Sequence, residues 1–186
     1  MSQFTKNQTP WTQWHHRLHK TLSRNNALIP KGSCLLLSVS GGQDSMAMVQ
    51  LLNDLQRLYE WELNIWHGDH SWHDQSQIIA QELKSWCKKE NLTFYCDTAT
   101  QEETKTEALA RSWRYKNLLL RASKLSLKNT NSPCLHILTG HTCTDRSETL
   151  IMNLARGSDL TGLTSLRERR ILEGKIQLIR PLLCFS

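Results

Sequence analysis

Six consecutive residues, SGGQDS at positions 40–45, are of the types that suit the binding of phosphate groups. Two glycines allow the backbone to approach a ligand closely, and backbone N–H groups at the start of a helix attract anions. The two serine hydroxyls add hydrogen-bond donors. The carboxylate of Asp44 would repel a bare phosphate, which indicates that a cation or an amine lies between them. The alternative is an ordinary turn whose serine caps a helix.

Two carboxylates, Asp145 and Glu148, follow a predicted strand whose end carries His141. On a helix of 3.6 residues per turn they project about 60° from each other. Such a pair can hold a divalent metal ion or an ammonium group. The alternative is that the acids only complement the dipole at the N-terminus of their helix. That alternative does not explain why they fall beside the strand end that carries His141.

A third group of chemically capable residues lies on a long predicted helix, where Glu107, Arg111 and Arg114 share one stripe. A solvated ladder of ion pairs is the default interpretation. Two arginines one turn apart also suit phosphate binding, because their planar guanidinium groups match phosphate oxygens. Spacing alone does not choose between the two interpretations.

Metal and cysteine chemistry receive less support from the residue pattern. A zinc site is a minor alternative, because the spacing of its candidate ligands is loose and no cysteine joins them: His67, Asp69, His70 and His73. The six cysteines contain no C-x-x-C pair and are expected to be reduced thiols. No cysteine forms a recognisable motif with a basic residue that would activate its thiol, so a cysteine nucleophile is not favoured.

The elements that must position these residues alternate along the chain. Strands are predicted at residues 34–39, 63–66, 92–96, 134–139 and 176–179, and helices within residues 10–25, 48–59, 78–86, 103–127 and 144–156. The alternation predicts an α/β fold with a doubly wound, mostly parallel, five-stranded sheet flanked by helices. Ligands of such sheets bind beyond the carboxyl ends of the strands, where the loop at 40–45, Asp69-His70 and the segment 140–145 all fall.

Apolar stripes predict which helix faces are buried. In the first helix the stripe predicts packing on the edge of the sheet by Trp11, Trp14, Leu18 and Leu22, with His15, His16 and His19 on the solvated face. In the long helix the predicted buried stripe is Leu109, Trp113 and Leu120.

The chain has 186 residues, 39% hydrophobic content and a formal net charge of +6. It contains no apolar run of membrane-spanning length and no signal-peptide core. The positive charge mildly favours a polyanionic partner, although a solvated basic surface explains it equally well. A basic run near the C-terminus has the same two interpretations, contacts with nucleic-acid phosphates or a solvated loop: Arg167, Arg169, Arg170 and Lys175.

Five segments occur in the order found in one known family. They are SGGQDS (40–45), DHSWHDQS (69–76), EALARSWRY (107–115), the segment 139–163 from TGHTCTDRSETL onward, and IRPLL (179–183). Together they resemble the tRNA(Ile)-lysidine synthetases of the PP-loop ATP pyrophosphatase superfamily, in particular the cyanobacterial members. The resemblance implies an adenine nucleotide alpha hydrolase-like fold, with a catalytic domain at residues 33–183 and an N-terminal helical extension at residues 1–32.

The resemblance also implies a reaction. ATP adenylates the C2 oxygen of the wobble cytidine in the CAU-anticodon isoleucine tRNA and releases pyrophosphate. The ε-amino group of free lysine then attacks C2 and AMP leaves, so that lysidine is formed. The expected co-substrate is ATP with Mg²⁺, the expected partners are that tRNA and lysine, and the expected location is the cytoplasm without a membrane. The oligomeric state stays open, a homodimer included.

Residue roles carried over from the family fall on the motif positions. The pyrophosphate loop would be Ser40, Gly41, Gly42, Gln43, Asp44 and Ser45, with Mg²⁺ bound by Asp44. Asp145 and Glu148 match the family's acidic pair, which suits seating and deprotonating the lysine ammonium. Charge on the adenylated intermediate or the leaving AMP would be stabilised by Arg111, Arg114 and His141.

Three features depart from the family pattern. His73 stands where D-H-x-x-R usually has its arginine, and Asp159 replaces the last glycine of Arg-Gly-Ser-Gly. The family also continues past R-P-L-L into a helical domain, whereas this chain ends at Ser186. We therefore expect a fragment or a reduced protein, with incomplete recognition of tRNA.

Two rival functions remain at this point. One is another PP-loop enzyme that adenylates its substrate, although a thiolase would require paired cysteines and an amidotransferase would require a glutaminase domain. The other is a truncated, non-catalytic module that binds ATP or tRNA. The joint presence of Arg111, Arg114, Asp145 and Glu148 argues against the module.

Overall fold

The structure is a computed structural model, which describes residues 10–72, 76–145, 147–148 and 166–185. Within them, six strands form one sheet in the order β3-β2-β1-β4-β6-β5. The strands are β1 (Cys34–Ser38), β2 (Glu62–Asp69), β3 (Thr93–Thr98), β4 (His136–Thr139), β5 (Arg169–Glu173) and β6 (Ile176–Ile179). Neighbours pair in parallel except β5, which is antiparallel to β6.

Helices cover both faces of this sheet, as a doubly wound fold requires. Four α-helices have both ends within the described residues, α1 (Gln13–Arg24), α2 (Gln43–Tyr59), α3 (Ser76–Lys89) and α4 (Glu107–Lys128), and two short 3₁₀-helices span Glu102–Thr104 and Pro181–Cys184. One core cluster joins the sheet to α1, α2 and α3, and the other joins it to α4. The predicted α/β class and mostly parallel sheet are confirmed.

The central strand β1 shows how the sequence specifies this arrangement. Leu35 and Leu37 face the α1–α3 side, while Cys34 and Leu36 face α4, and all four side chains are buried. A strand that is apolar on both faces can only lie inside a two-faced sheet. Because β1 lies between β2 and β4, the loop that follows it opens at the middle of the carboxyl edge.

The sheet has one more strand than predicted. Residues 169–173 form β5, an edge strand that turns at Gly174 (φ +51°) and pairs with β6. The sequence RRILE has no regular apolar alternation, and its first three residues are exposed, so the periodicity test missed it. The predicted basic run therefore lies largely on this edge hairpin.

Helix α1 packs differently from the predicted pattern. Its main contacts are with α2 and the C-terminal 3₁₀-helix, which bury Leu18 and Leu22 but leave Trp11 and Trp14 partly exposed. His15, predicted to face solvent, is buried, and its Nε2 lies 3.0 Å from Oδ2 of Asp54. Its Nδ1 accepts from the backbone N–H of Thr12, which completes a capping box. An imidazole that satisfies both nitrogens can be buried.

Helix α4 begins at Glu107, four residues later than predicted, because residues 102–104 form the preceding 3₁₀-helix. The side chain of Thr106 caps it by accepting from the Leu109 N–H. Trp113 is buried as predicted, but Leu109 and Leu120 are about half exposed. The stripe that packs on the sheet is Ala110, Trp113, Leu118, Ala122 and Leu125.

Residues 143–145 and 147–148 are helical, and the rest of the helix predicted at 144–156 lies outside the described residues, as do His73 and Asp159. In the part of the chain that the structure describes, no helix is both long enough and apolar enough to cross a membrane. All six cysteines are free thiols.

Candidate active site

A cleft of about 520 Å³ opens at the carboxyl ends of β1, β2 and β4. This is where ligands bind in open α/β sheets. Eight of the eleven residues that the sequence singled out line it: Ser40, Gly42, Gln43, Asp44, Ser45, Arg114, His141 and Asp145. Three do not: Gly41, Arg111 and Glu148.

The loop that follows β1 is held by its own hydroxyls. Ser40 Oγ donates to Ser45 Oγ (3.2 Å) and accepts from the Gly42 N–H (3.3 Å), while Ser45 Oγ donates to the Gly42 carbonyl (2.8 Å). Gly41 lies at φ +89°, a conformation that favours glycine. A Cβ at Gly41 would also stand 2.8 Å from Cγ2 of Ile79 on α3, which packs against the loop and lines the cleft.

Helix α2 presents an open N-terminus to the cleft. Its N-cap is Gly42, and no side chain caps it. The N–H groups of the first turn therefore point toward the cleft without a side-chain acceptor from the cap, a local arrangement that binds anions. Asp44 lies in that first turn, exposed and lining the cleft. One carboxylate beside phosphate oxygens matches the way Mg²⁺ is commonly held, so Asp44 fits the metal that the resemblance implies.

The exit of β4 forms the opposite wall. Gly140 packs against the first turn of α2, and a Cβ there would stand 2.8 Å from the Cα of Ser45. His141 Nδ1 lies 2.9 Å from Thr139 Oγ1. Asp145 Oδ2 accepts from both the N–H (2.7 Å) and the hydroxyl (3.0 Å) of Thr142, as an acid does in a helix capping box. The carboxylate therefore combines a capping role with a place in the cleft, whereas Glu148 is exposed.

The third wall comes from the end of β2, for which the sequence analysis offered only the minor zinc alternative and a place at the carboxyl edge of the sheet. Trp66, Gly68, Asp69, His70 and Trp72 all line the cleft. The backbone here is fixed on both sides, since His67 Nδ1 lies 2.8 Å from the Val39 carbonyl and Asp69 Oδ1 accepts from the Ser71 N–H. The signal that indicated these residues was their position after a buried parallel strand.

Helix α4 brings Arg114 into the cleft, whereas Arg111 is exposed and is not among the residues that line it. Both guanidinium groups lie over the ring of Tyr115, at 5.2 Å for Arg111 and 5.6 Å for Arg114. Among the described residues, no salt bridge joins Glu107 to either arginine, so the predicted ion-pair ladder is not formed. The charge of Arg114 is thus left available to the cleft.

Arg180, which belongs to the IRPLL segment, adds a buried positive charge near β4. Its guanidinium donates to the Arg167 carbonyl (2.7 Å). Burial lowers the pKa of Arg180, and Tyr115 partly opposes that effect. Sequence reasoning gave this residue no role, because a single arginine before a proline carries no pattern of its own.

Two histidines in the cleft have lowered pKa values. Burial lowers the pKa of His141 first, Arg180 lowers it further, and Asp145 opposes both. Burial likewise lowers the pKa of His70, followed by the charge of Arg114. Arg114 depresses the pKa of both imidazoles, so its positive charge acts on both walls. Both rings are therefore favoured in the neutral form at pH 7.

The zinc alternative gains no support from the geometry. Within residues 10–72, 76–145, 147–148 and 166–185, no group of three or more His, Cys, Asp or Glu side chains is arranged to hold a metal ion. His73, the fourth candidate ligand, lies outside the described residues. His67 Nδ1 is already hydrogen-bonded to the Val39 carbonyl, so this nitrogen is not available to a metal ion.

Comparison with known proteins decides the family. A family model described as a PP-loop domain matches residues 11–186. The chain belongs to the PP-loop domain family. Curated relatives that are named tRNA(Ile)-lysidine synthase include one from Prochlorococcus marinus strain SARG, which is 57% identical over all 186 residues. Another, from Nostoc sp. strain PCC 7120, is 42% identical over 93% of the chain.

The PP-loop chain spans about half the length of these curated relatives, 55% of the first and 48% of the second. Among solved structures, the U34-tRNA thiolase NcsA from Methanococcus maripaludis shares the fold. It superposes with a TM-score of 0.66 at 18% identity, covering 91% of this chain and 57% of the thiolase. At that identity the likeness shows the fold alone.

Proposed function

We propose that this chain is the catalytic domain of a tRNA(Ile)-lysidine synthetase. The chain would ligate lysine to C2 of the wobble cytidine in the CAU-anticodon tRNA(Ile), in the cytoplasm, with ATP as the co-substrate. Residues 33–183 would form the catalytic domain and residues 1–32 its N-terminal extension. The observation that carries the proposal is that the uncapped start of α2 and the carboxylate of Asp145 line one cleft.

The loop at 40–45 would bind the phosphates of ATP. Its backbone N–H groups and serine hydroxyls neutralise negative charge, and Mg²⁺ held by Asp44 would offset the charge of the pyrophosphate as it leaves. The C2 oxygen of the cytidine attacks the α-phosphorus, and the bond to the β-phosphate oxygen breaks. Arg114 lies on the cleft wall, where its charge stabilises the AMP group.

Lysine would enter beside Asp145. Oδ2 of this carboxylate is engaged by Thr142, which fixes its orientation toward the cleft. A protonated amine cannot attack, so the ammonium must lose a proton before its nitrogen bonds to C2 and AMP leaves. Asp145 would seat the ammonium, and the neutral His141 beside it is the group best suited to accept the proton. Glu148 and Arg111 would act from outside the cleft wall.

A direct assay tests the proposal. The chain is incubated with ATP, labelled lysine and CAU-anticodon tRNA, and the expected result is label in tRNA together with AMP and pyrophosphate. Release of AMP without label would indicate another acceptor, as in other adenylating PP-loop enzymes. Neither product would favour the binding module. Asp145→Asn is the matched negative control, because it keeps the shape of the side chain and removes its charge.

A further inference from the structure

Trp72 is a large aromatic residue at the rim of the cleft that is held in place yet remains 52% exposed. Its indole N–H donates to the carbonyl of Thr104 at 2.9 Å. Its ring stacks on the imidazole of His70, with centroids 5.0 Å apart and planes 27° from parallel. The side chain is therefore anchored through its nitrogen and supported on one face.

The support beneath Trp72 is itself rigid. His70 lies edge-on to the buried ring of Trp113 at 5.3 Å, and Trp113 contacts Trp66 at 6.1 Å. A Cβ on Gly68 would lie within 3.0 Å of both of these tryptophan rings, so the backbone of β2 packs tightly against them. The platform made by Trp72 and His70 thus rests on a packed core and loses little conformational freedom when a ligand covers it.

Core packing explains the inner face of Trp72 but not the outer one. An exposed indole face at the rim of a concave site leaves apolar surface in contact with water, and such surfaces often mark binding sites. The cleft beside it carries the positive charge of Arg114 and the open N-terminus of α2. A flat apolar face next to a phosphate-attracting wall matches a nucleotide, whose base stacks while its phosphates are neutralised.

We propose that the outer face of Trp72 stacks with a nucleobase, and that this base belongs to the anticodon loop of the RNA substrate. The proposal rests on the proposed function for the identity of the RNA. Adenine from ATP would offer the same stacking chemistry, but the exposure of Trp72 at the rim favours a base that arrives from outside on a long polymer. Stacking of this kind tolerates any base, so Trp72 would position the loop without selecting its sequence.

Binding measurements test this independently of catalysis. The full chain is titrated with a fluorescent anticodon stem-loop RNA that carries CAU, and separately with labelled ATP, for wild type, Trp72→Leu and Trp72→Phe. Trp72→Leu is expected to weaken RNA binding about 5- to 150-fold, which corresponds to the loss of one stacked base. Trp72→Phe keeps an aromatic face and is expected to retain affinity within about 3-fold. Trp14→Leu removes an exposed tryptophan on α1 and should change nothing.

Each outcome has a defined meaning. If Trp72→Leu weakens the binding of RNA but not of ATP, the proposal is supported. If it weakens the binding of ATP alone, the assignment to RNA is overturned, and the stacked base is the adenine of ATP. Equal affinities for wild type and Trp72→Leu, equal losses in Trp72→Leu and Trp72→Phe, or no binding of either ligand by wild type would overturn the proposal. The titrations measure binding and do not require lysidine to form, so they can be interpreted even if the ligase assay fails.

Discussion

Gly140 and Ser45 lie so close together that a Cβ on Gly140 would clash with the backbone of Ser45. A Cβ on Gly140 would stand 2.8 Å from the Cα of Ser45 and 3.0 Å from the Asp44 carbonyl, both backbone atoms. This contact sets the distance between the β4 wall and the first turn of α2. The loop at 40–45 and the turn that carries Asp145 are thus positioned by one glycine.

Replacing Gly140 with alanine is therefore expected to weaken both the fold and the site. The clash is with backbone and cannot be relieved by a side-chain rotation, so we expect a loss of about 1–3 kcal/mol in the free energy of unfolding. We also expect at least about 10-fold weaker ATP binding, because the two walls are forced apart. Urea unfolding and equilibrium dialysis with ATP measure the two effects.

The matched control is Gly32→Ala. Gly32 has a positive φ of +75° and no heavy atom within 4 Å of its would-be Cβ, so its cost is backbone strain of about 1–3 kcal/mol far from the cleft. Similar losses of ATP affinity in the two variants would show that Gly140 acts only through stability.

Two substitutions of Asp145 are expected to separate its helix-capping role from its role in the reaction. Asp145→Asn keeps an oxygen for the Thr142 donors, so the free energy of unfolding should change by less than about 0.5 kcal/mol. Asp145→Ala also loses the cap and should cost about 1 kcal/mol. Both variants should lower lysine-dependent AMP release at least about 100-fold, since the charge that seats the ammonium is gone.

Thr106→Ala provides the comparison for this pair. It removes the side-chain cap of α4, which lies outside the cleft lining, and should cost about 1 kcal/mol with little effect on AMP release. Normal turnover in Asp145→Asn would contradict the proposed role.

Arg114 is expected to contribute to the lowered pKa values of two histidines, for which burial is the larger cause. Its charge lowers the pKa of both His70 and His141, so Arg114→Gln should raise both pKa values toward the ordinary range. Titration of the imidazole resonances by NMR measures this directly. Arg57→Gln, at an exposed position on α2, serves as the control. A rise at only one histidine would mean that Arg114 does not act on both walls.

Acid is expected to destabilise the protein through three partly buried histidines. Burial lowers the pKa of His70, His136 and His141, so below the ordinary value near 6.5 the unfolded chain binds more protons than the folded one. This stabilisation is complete above about pH 6.5 and is lost as the pH falls through the folded pKa values. Each histidine contributes a slope of at most about 1.4 kcal/mol per pH unit.

Urea unfolding between pH 7.5 and pH 5 tests this with His136→Asn, which removes one titrating group from β4, away from the cleft lining. The variant should show a shallower loss of stability than wild type, whereas His16→Asn, at an exposed position on α1, should not. Identical slopes for all three proteins would exclude His136 as a contributor.

The sequence predicted the elements that a local apolar pattern identifies, and it missed the features that depend on contacts between distant parts of the chain. The short, continuous apolar run Cys34–Ser38 indicates a buried strand by its length, the stripe of α2 indicates a helix by its period, and both are confirmed. The strand RRILE is an edge strand that forms by pairing with β6 and places only Leu172 against the core, so its own residues carry little signal. His15 was misassigned because its partner, Asp54, lies 39 residues away in the chain.

The same distinction holds for the cleft. The loop at 40–45 and the 139–145 segment were found because each places its polar residues immediately after an apolar strand. The wall from Trp66 to Trp72 was visible as a strand end, but its aromatic stacking depends on Trp113 from α4. Neighbouring elements also decided that Arg114 faces the cleft and Arg111 does not.

The bare start of α2 couples occupancy of the cleft to the folding of the helix behind it. An anion that accepts hydrogen bonds from those first-turn N–H groups does for α2 what the Thr106 side chain does for α4. The ligand therefore supplies the N-terminal cap that α2 lacks. Binding of this kind raises the melting temperature in proportion to the logarithm of ligand concentration above Kd. Slowed amide hydrogen exchange should therefore begin at Gln43 and spread along the helix that supports the sheet.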